Sequence, residues 1–249
     1  MPAAIAGYAQ GNKIIMMKNE KIVGEDYHDV HALTELVIRV YTDVHATDPA
    51  DVAYLFGQSI NNEDSVLTGA IFLWNAGRVK QLCISAESAP GFIRSAEWRA
   101  RLIHAGVPET QIDALPHVSI FPRSTDAEAE SIIERAEICG WKNIYLVSTP
   151  VHQLRAFISV VSALKRKKAE LQVFNCVGSA QRWDESVMHS QGVQRGLRRD
   201  LVHKELEKIE HYFQKGDLIA PREVLAYLNK RDESDFPSTK NTPGNLVGL

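Results

Sequence analysis

Apolar residues at Val30, Leu33, Leu36, Val37 and Val40 recur at three- and four-residue spacing, which predicts a helix over residues 28–44. Residues 1–27, before it, read as irregular chain or short strands. Downstream the pattern changes to short apolar runs set between amphipathic stretches. Residues 51–56, 79–85, 144–147 and 171–177 read as buried strands, and 111–118 as a weaker one. Between them, 64–74, 95–104, 126–139 and 151–165 carry helical spacing, with Gly77, Gly106 and Gly140 as stops. Continuous apolar strands joined by helical crossovers predict a Rossmann-like α/β fold. It would be a mostly parallel sheet of about five strands with helices on both faces. The pattern leaves strand order open.

After Val177 the alternation ends. Residues 186–214 read as one long polar helix, rich in Arg and Lys and then in Glu, closed by Gly216; Pro221 opens a last helix through residue 228. From Asp232 the chain is rich in Asp, Ser, Pro, Thr and Asn, which predicts disorder. The expected organisation is an N-terminal extension and helix packing on the core over 1–48, a Rossmann-like domain over 49–180, a C-terminal helical appendage over 181–232 and a disordered tail over 233–249.

Composition narrows the class without naming a function. A chain of 249 residues, 45% of them hydrophobic, can bury one sizeable core. A net charge of −3 gives no global attraction to nucleic acid or an anionic membrane. Cys83, Cys139 and Cys176 are odd in number and lack metal-ligand spacing, which argues against a disulfide framework or a zinc site. No basic segment followed by a long apolar one opens the chain, so the expectation is a soluble, cytoplasmic protein without a membrane span.

The densest chemistry lies between Ile144 and Phe157. A buried strand stops at Ser148, Thr149 suits a helix N-cap, and Pro150 suits the first helical position. His152 and Arg155 then fall in the first turns of a helix beginning at the carboxyl end of a strand, where open α/β sheets bind ligands. His152, Arg155, Ala156 and Ser159 share one stripe, opposite Leu154, Phe157, Ile158, Val161 and Leu164. Either that polar stripe is the wet side of the helix, or Arg155 grips an anion while His152 moves a proton. Three further loops open at the same edge. Arg123, Ser124, Thr125 and Asp126 precede a helix in which Thr125 and Glu128 have capping-box spacing. There Asp126, Glu128 and Glu130 also suit the helix dipole. Glu87 and Glu97 lie around another strand-to-helix loop, and Gly57, Gln58 and Ser59 follow the first strand. Arg195, Arg198 and Arg199 form a basic run that either binds phosphate or is a solvated face balanced by Asp200, Glu205 and Glu207. No dinucleotide fingerprint, phosphate-binding loop, nucleophile elbow or zinc-protease motif occurs.

Taken in order, these segments resemble the YdcF/SanA/ElyC-like family, a bacterial domain of largely unknown biochemistry. The resemblance rests on a strand ending at Gly57, Ser95 to Glu97 followed by Gly106-Val107-Pro108, Arg123 to Ala129, and Tyr145 to Ala156 with its His152-x-x-Arg155-Ala156 element. It spans roughly residues 50–180. Where the family has Ser-Gly-Gly after its second strand, this chain has Ser85, Ala86 and Glu87. The family's Arg shortly after the first strand is replaced by Asn61, Asn62, Glu63 and Asp64, and its Glu-Asn-Ala element is reduced to Glu128-Ala129. The resemblance implies a strand-edge site for an anionic or nucleotide-like small molecule, with S-adenosylmethionine as a candidate ligand. That site would combine Gly57, Gln58, Arg123, Ser124, Thr125, Asp126, Ser148 and Arg155 with a His152–Glu97 acid/base pair, with no residue assigned as a metal ligand. A hydrolase or transferase, or a non-catalytic ligand-binding or regulatory module, fits it. A methyltransferase fits less well, because the first loop is not glycine-rich.

Overall fold

The computed structural model describes residues 30–85, 95–115, 124–189 and 194–235. The predicted features at residues 1–27, at Glu87, at 116–118 and at Arg123, and the tail beyond 235, lie outside them.

Five strands form one all-parallel sheet: β1 (Val52–Leu55), β2 (Leu82–Ser85), β3 (Ile112–Leu115), β4 (Asn143–Ser148) and β5 (Gln172–Val177). Their spatial order is β3-β2-β1-β4-β5. The chain builds outward from β1 through β2 to β3, then crosses back to lay β4 on the other side of β1. The order therefore reverses between β1 and β4, and the crevice outside their carboxyl ends is where such sheets bind ligands. The helices are α1 (residues 30–41), α2 (Glu63–Asn75), α3 (Ser95–His104), α4 (Thr125–Cys139), α5 (Gln153–Lys167), α6 (Arg198–Lys215) and α7 (Pro221–Asp235).

All four residues of β1 are buried, as a sheet covered on both faces requires. Val52 and Tyr54 pack with Leu36 and Val40 of α1, Ile132 of α4, Phe157 of α5 and Leu228 of α7; Ala53 and Leu55 pack with Leu67 of α2 and Leu102 of α3. Gly140 ends α4 at φ 71°, the left-handed conformation expected of a helix-stop glycine. Gly178 is required by space: a Cβ there would lie 2.6 Å from the backbone oxygen of Ser65. This close pass carries the chain from β5 across the first turns of α2.

The structure corrects several boundaries. Residues 186–214 are not one helix. Ser186–His189 (β6) and Gln194–Leu197 (β7) pair as an antiparallel ribbon, and α6 starts only at Arg198. Val187 is buried, and Gly196, a poor helix former, lies opposite it in the ribbon. α7 runs past the expected stop at 228 to Asp235, because Arg231 is drawn into the core. The strand expected over 79–85 is regular only from Leu82, with Val79 bridged singly to Ala50. The weaker strand begins at Ile112, after a single 3-10 turn over Glu109–Gln111. Among the described residues no helix is long and apolar enough to cross a membrane.

At the opposite edge of the sheet, Asp51 ties β1 to β4 by accepting from the Lys142 amide at 2.7 Å and the Lys80 ammonium at 2.8 Å. Partial burial works to raise this carboxyl, but the Lys142 amide, the Lys80 side chain and the Asn143 amide outweigh it and hold it below its usual value. A depressed carboxylate stabilises the fold above its unfolded pKa of about 3.9 and loses that contribution as pH falls through the folded value. Asp51→Asn is therefore expected to be less stable than wild type at pH 7 and to converge with it in acid, as pH falls through the depressed folded value. Urea midpoints at pH 7 and in acid check this, and a gap that persists in acid contradicts it.

Candidate functional site

The carboxyl ends of β1 and β4, the first turns of α4 and α5, and the middle of α6 meet at the point where strand order reverses. Leading off β1, Phe56 is followed by Gly57, whose amide donates to Glu128 of α4 at 3.4 Å. The Tyr54 hydroxyl donates to the same Glu128 oxygen at 2.6 Å. Gln58 is buried and donates to the Ser148 hydroxyl at 3.3 Å, joining the two strand ends. Ser59 donates to the Met188 carbonyl at 2.8 Å, and Asn62 to the same oxygen at 3.4 Å. The loop after β1 is thus closed over by the β6–β7 ribbon.

On the β4 side, Thr149 to His152 form a turn before the regular helix, whose N-cap residue is His152 and not Thr149. The Thr149 carbonyl accepts from the amides of His152 and Gln153 at 3.0 and 2.9 Å. The α4 cap is also displaced by one residue. Ser124 is extended (φ −90°, ψ 153°) and accepts from the Ala127 amide at 3.1 Å. Thr125, with its hydroxyl released from capping, instead accepts from Arg155 at 2.5 Å.

Glu205 of α6 completes the cluster. Arg155 donates to its two carboxylate oxygens at 2.6 and 3.3 Å, Lys208 donates to it at 2.8 Å, and His152 Nδ1 stands 3.2 Å from Oε2. The His152 ring lies edge-on to Phe56, with centroids 5.8 Å apart. The Tyr41 hydroxyl of α1 donates to the Pro150 carbonyl in the turn before α5; burial and then the Glu205 charge push its pKa up. The polar stripe of α5 is therefore not the wet side of the helix. Ala156 is fully buried, Ser159 and His152 are buried, and the Arg155 side chain is 11% exposed, because α4 packs along α5 and Glu205 of α6 lies against His152 and Arg155.

Beneath this cluster runs a buried polar chain. Gln153 accepts from the Ser148 amide at 2.8 Å and donates to Asn175 at 2.8 Å. Asn175 donates to Asp43 at 2.9 Å, and Arg231 of α7 donates to Asp43 at 2.6 and 2.9 Å. It fixes Ser148 from below through side chains contributed by α1's trailing loop, β5, α5 and α7.

The chain matches no known protein family, and no curated protein matches it.

Of the residues expected at the site, the structure brings Gly57, Gln58, Thr125, Ser148, His152 and Arg155 to this strand edge, with Ser124 capping α4 beside them. Asp126 pairs with Arg166 in the last turn of α5 at 2.5 Å. Glu97 is exposed in the first turn of α3, and the carboxylate that stands on His152 is Glu205. Of the basic run, Arg198 is buried and donates to Glu185 at 2.9 Å and to the Asn61 carbonyl at 3.2 Å, which makes it a packing residue. Sequence reasoning did not assign Glu205, Glu128 or Gln153 to the site. Glu205 is one of many acids in a polar helix, and only its burial distinguishes it. Among the described residues no three His, Cys, Asp or Glu side chains are grouped to hold a metal ion.

Proposed function

We propose that this protein binds an anionic or nucleotide-like small molecule at the β1/β4 strand edge and acts on it as a hydrolase or transferase, with His152 as the acid/base residue. The observation that carries the reading is His152 Nδ1 on the buried Glu205 carboxylate, beside Arg155, at the reversal of strand order. A carboxylate on Nδ1 favours the tautomer with its proton there, so that Nε2 is the basic nitrogen. Arg155 and Thr125 supply donors for a phosphate or carboxylate. The ribbon closing the loop after β1 directs the ligand to the β4–α5 side, which also fits the lack of a glycine-rich first loop. The resemblance to the YdcF/SanA/ElyC-like family supports the same edge and keeps S-adenosylmethionine among the candidates.

The test is a thermal-shift panel of nucleotides, nucleotide sugars, S-adenosylmethionine and inorganic phosphate on wild type and Arg155→Ala. A ligand at about 100 times its Kd adds about 2.7 kcal/mol. The expected result is a shift in wild type that Arg155→Ala removes. A shift that survives in Arg155→Ala puts the ligand elsewhere. Binding with no chemical change in any ligand would favour the non-catalytic module.

A further inference from the structure

At the amino ends of β4 and β5, the edge of the sheet opposite the strand-end site, lies a cavity of about 210 Å³. It opens where α4 stops at Cys139 and α5 at Lys167, and the chain entering each strand lines it. Ile133, Ala136, Trp141 and Leu171, all buried, make an apolar floor. Glu137, Glu170 and Lys142, all exposed, stand at the rim. A dry cavity of about 150 Å³ takes a benzene ring, so this one has room for a branched aliphatic side chain.

Such a side chain stands beside it. Ile138 is 76% exposed, more than any other large apolar residue among those described. Single apolar residues on a surface are ordinary, and exposure alone would say nothing. What sets Ile138 apart is its place: Glu137 on one side of it and Gly140 and Trp141 on the other line the cavity. An apolar knob next to an apolar hole on one surface is what a two-fold contact requires, because there residue i of one copy meets residue j of the second, and j meets i. The charges agree with this. The rim carries both signs, so two copies related by a two-fold axis can set an acid of one against the base of the other.

We infer that the ends of α4 and α5 form a two-fold contact between two copies of this chain, with Ile138 of each seated in the cavity of the other and Glu137 of each facing Lys142 of the other. The contact is confined to two helix ends. It therefore makes a dimer that forms and separates with concentration, as small interfaces do, and not an obligate one. It leaves the strand-end site of each copy uncovered and does not depend on the function proposed for that site.

The test is sedimentation velocity of the full chain through the micromolar range, under reducing conditions, for wild type and Ile138→Asp. Wild type is expected to move from monomer to dimer as concentration rises. Ile138→Asp places a carboxylate in the apolar cavity of each copy and should weaken the dimer by about thirtyfold or more, the size of a hot-spot loss. A short bismaleimide gives a second readout. Cys139 is exposed and adjacent to Ile138, whereas Cys83 is buried with its thiol pKa raised. The reagent should link two wild-type chains and fail to link Cys139→Ser. Wild type that stays monomeric throughout overturns the proposal. A dimer that Ile138→Asp leaves intact, or that the reagent does not link through Cys139, overturns it too, since the interface then lies elsewhere. Thermal unfolding controls for folding, and Ile138→Ser replaces Ile138→Asp if the latter does not fold.

Discussion

Asp43→Ala is expected to remove about 3–5 kcal/mol of stability, the largest effect of any single substitution considered. Asp43 and Arg231 form an ion pair whose side chains are 3% and 1% exposed. Arg231 also donates to the Val173 carbonyl at 2.7 Å and lies over the Phe174 ring, 4.7 Å from its centroid. Removing the carboxylate strands a guanidinium among apolar groups, with Asp232 at 2.6 Å as its remaining ionic partner. Because Asp232 is part-exposed and partly compensates, the loss should lie toward the lower end of that range. For a domain of this size about 3 kcal/mol corresponds to a Tm lower by roughly 6–12 °C. The double variant Asp43→Leu, Arg231→Met should lose much less than the sum of the two single losses, since neither charge is then left buried. Urea unfolding of the single and double variants tests this. A loss under about 1 kcal/mol for Asp43→Ala would show that the pair contributes little. The substitution should also weaken ligand binding, because Asn175 and Gln153 hold Ser148 through Asp43.

How much of this was legible beforehand depended on whether a residue's role was local. The five strands and most helices were readable because each carries its own periodicity: α3 spans residues 95–104 as predicted, and α2 and α4 start within one residue of expectation. His152 and Arg155 were readable because a strand, a turn and a helix start are all signalled within a dozen residues. Failures came where distant chain decides. Ser124 and Thr125 are both competent caps, and what sets the choice is Arg155, thirty residues on, taking the Thr125 hydroxyl. Residues 186–197 have helix-compatible composition, but burying Val187 and bonding Met188 to Ser59 and Asn62 requires extended chain. Glu205 was invisible for the same reason. In sequence it is one acid among several in α6, and its partners lie about fifty residues away on α5. The acid/base pairing expected with Glu97 came with the family resemblance, and Glu97 stands exposed in the first turn of α3.

His152→Ala should reduce turnover by about 10²–10⁴-fold while leaving ligand binding within a fewfold of wild type, the range typical for loss of a general acid or base. The fold should tolerate it. His152 is the N-cap residue of α5 but makes no side-chain capping bond, and the helix amides it precedes are held by the Thr149 and His152 carbonyls, which alanine keeps. What is lost is the imidazole set against Phe56 and oriented by Glu205. Turnover would be read as release of phosphate or nucleoside from the nucleotides and nucleotide sugars of the panel, with thermal unfolding as the control for folding. Arg155→Ala should behave differently, weakening binding as well as turnover, because Arg155 supplies the oxyanion contact under the proposed function and also bonds Glu205. The split between the two variants carries the mechanism: a histidine acting in the chemical step changes kcat, whereas an arginine gripping the ligand changes KM too. Undiminished turnover in His152→Ala would move the chemistry to another group, and Glu128, bonded to Tyr54 and the Gly57 amide on the same strand edge, would be the next to replace.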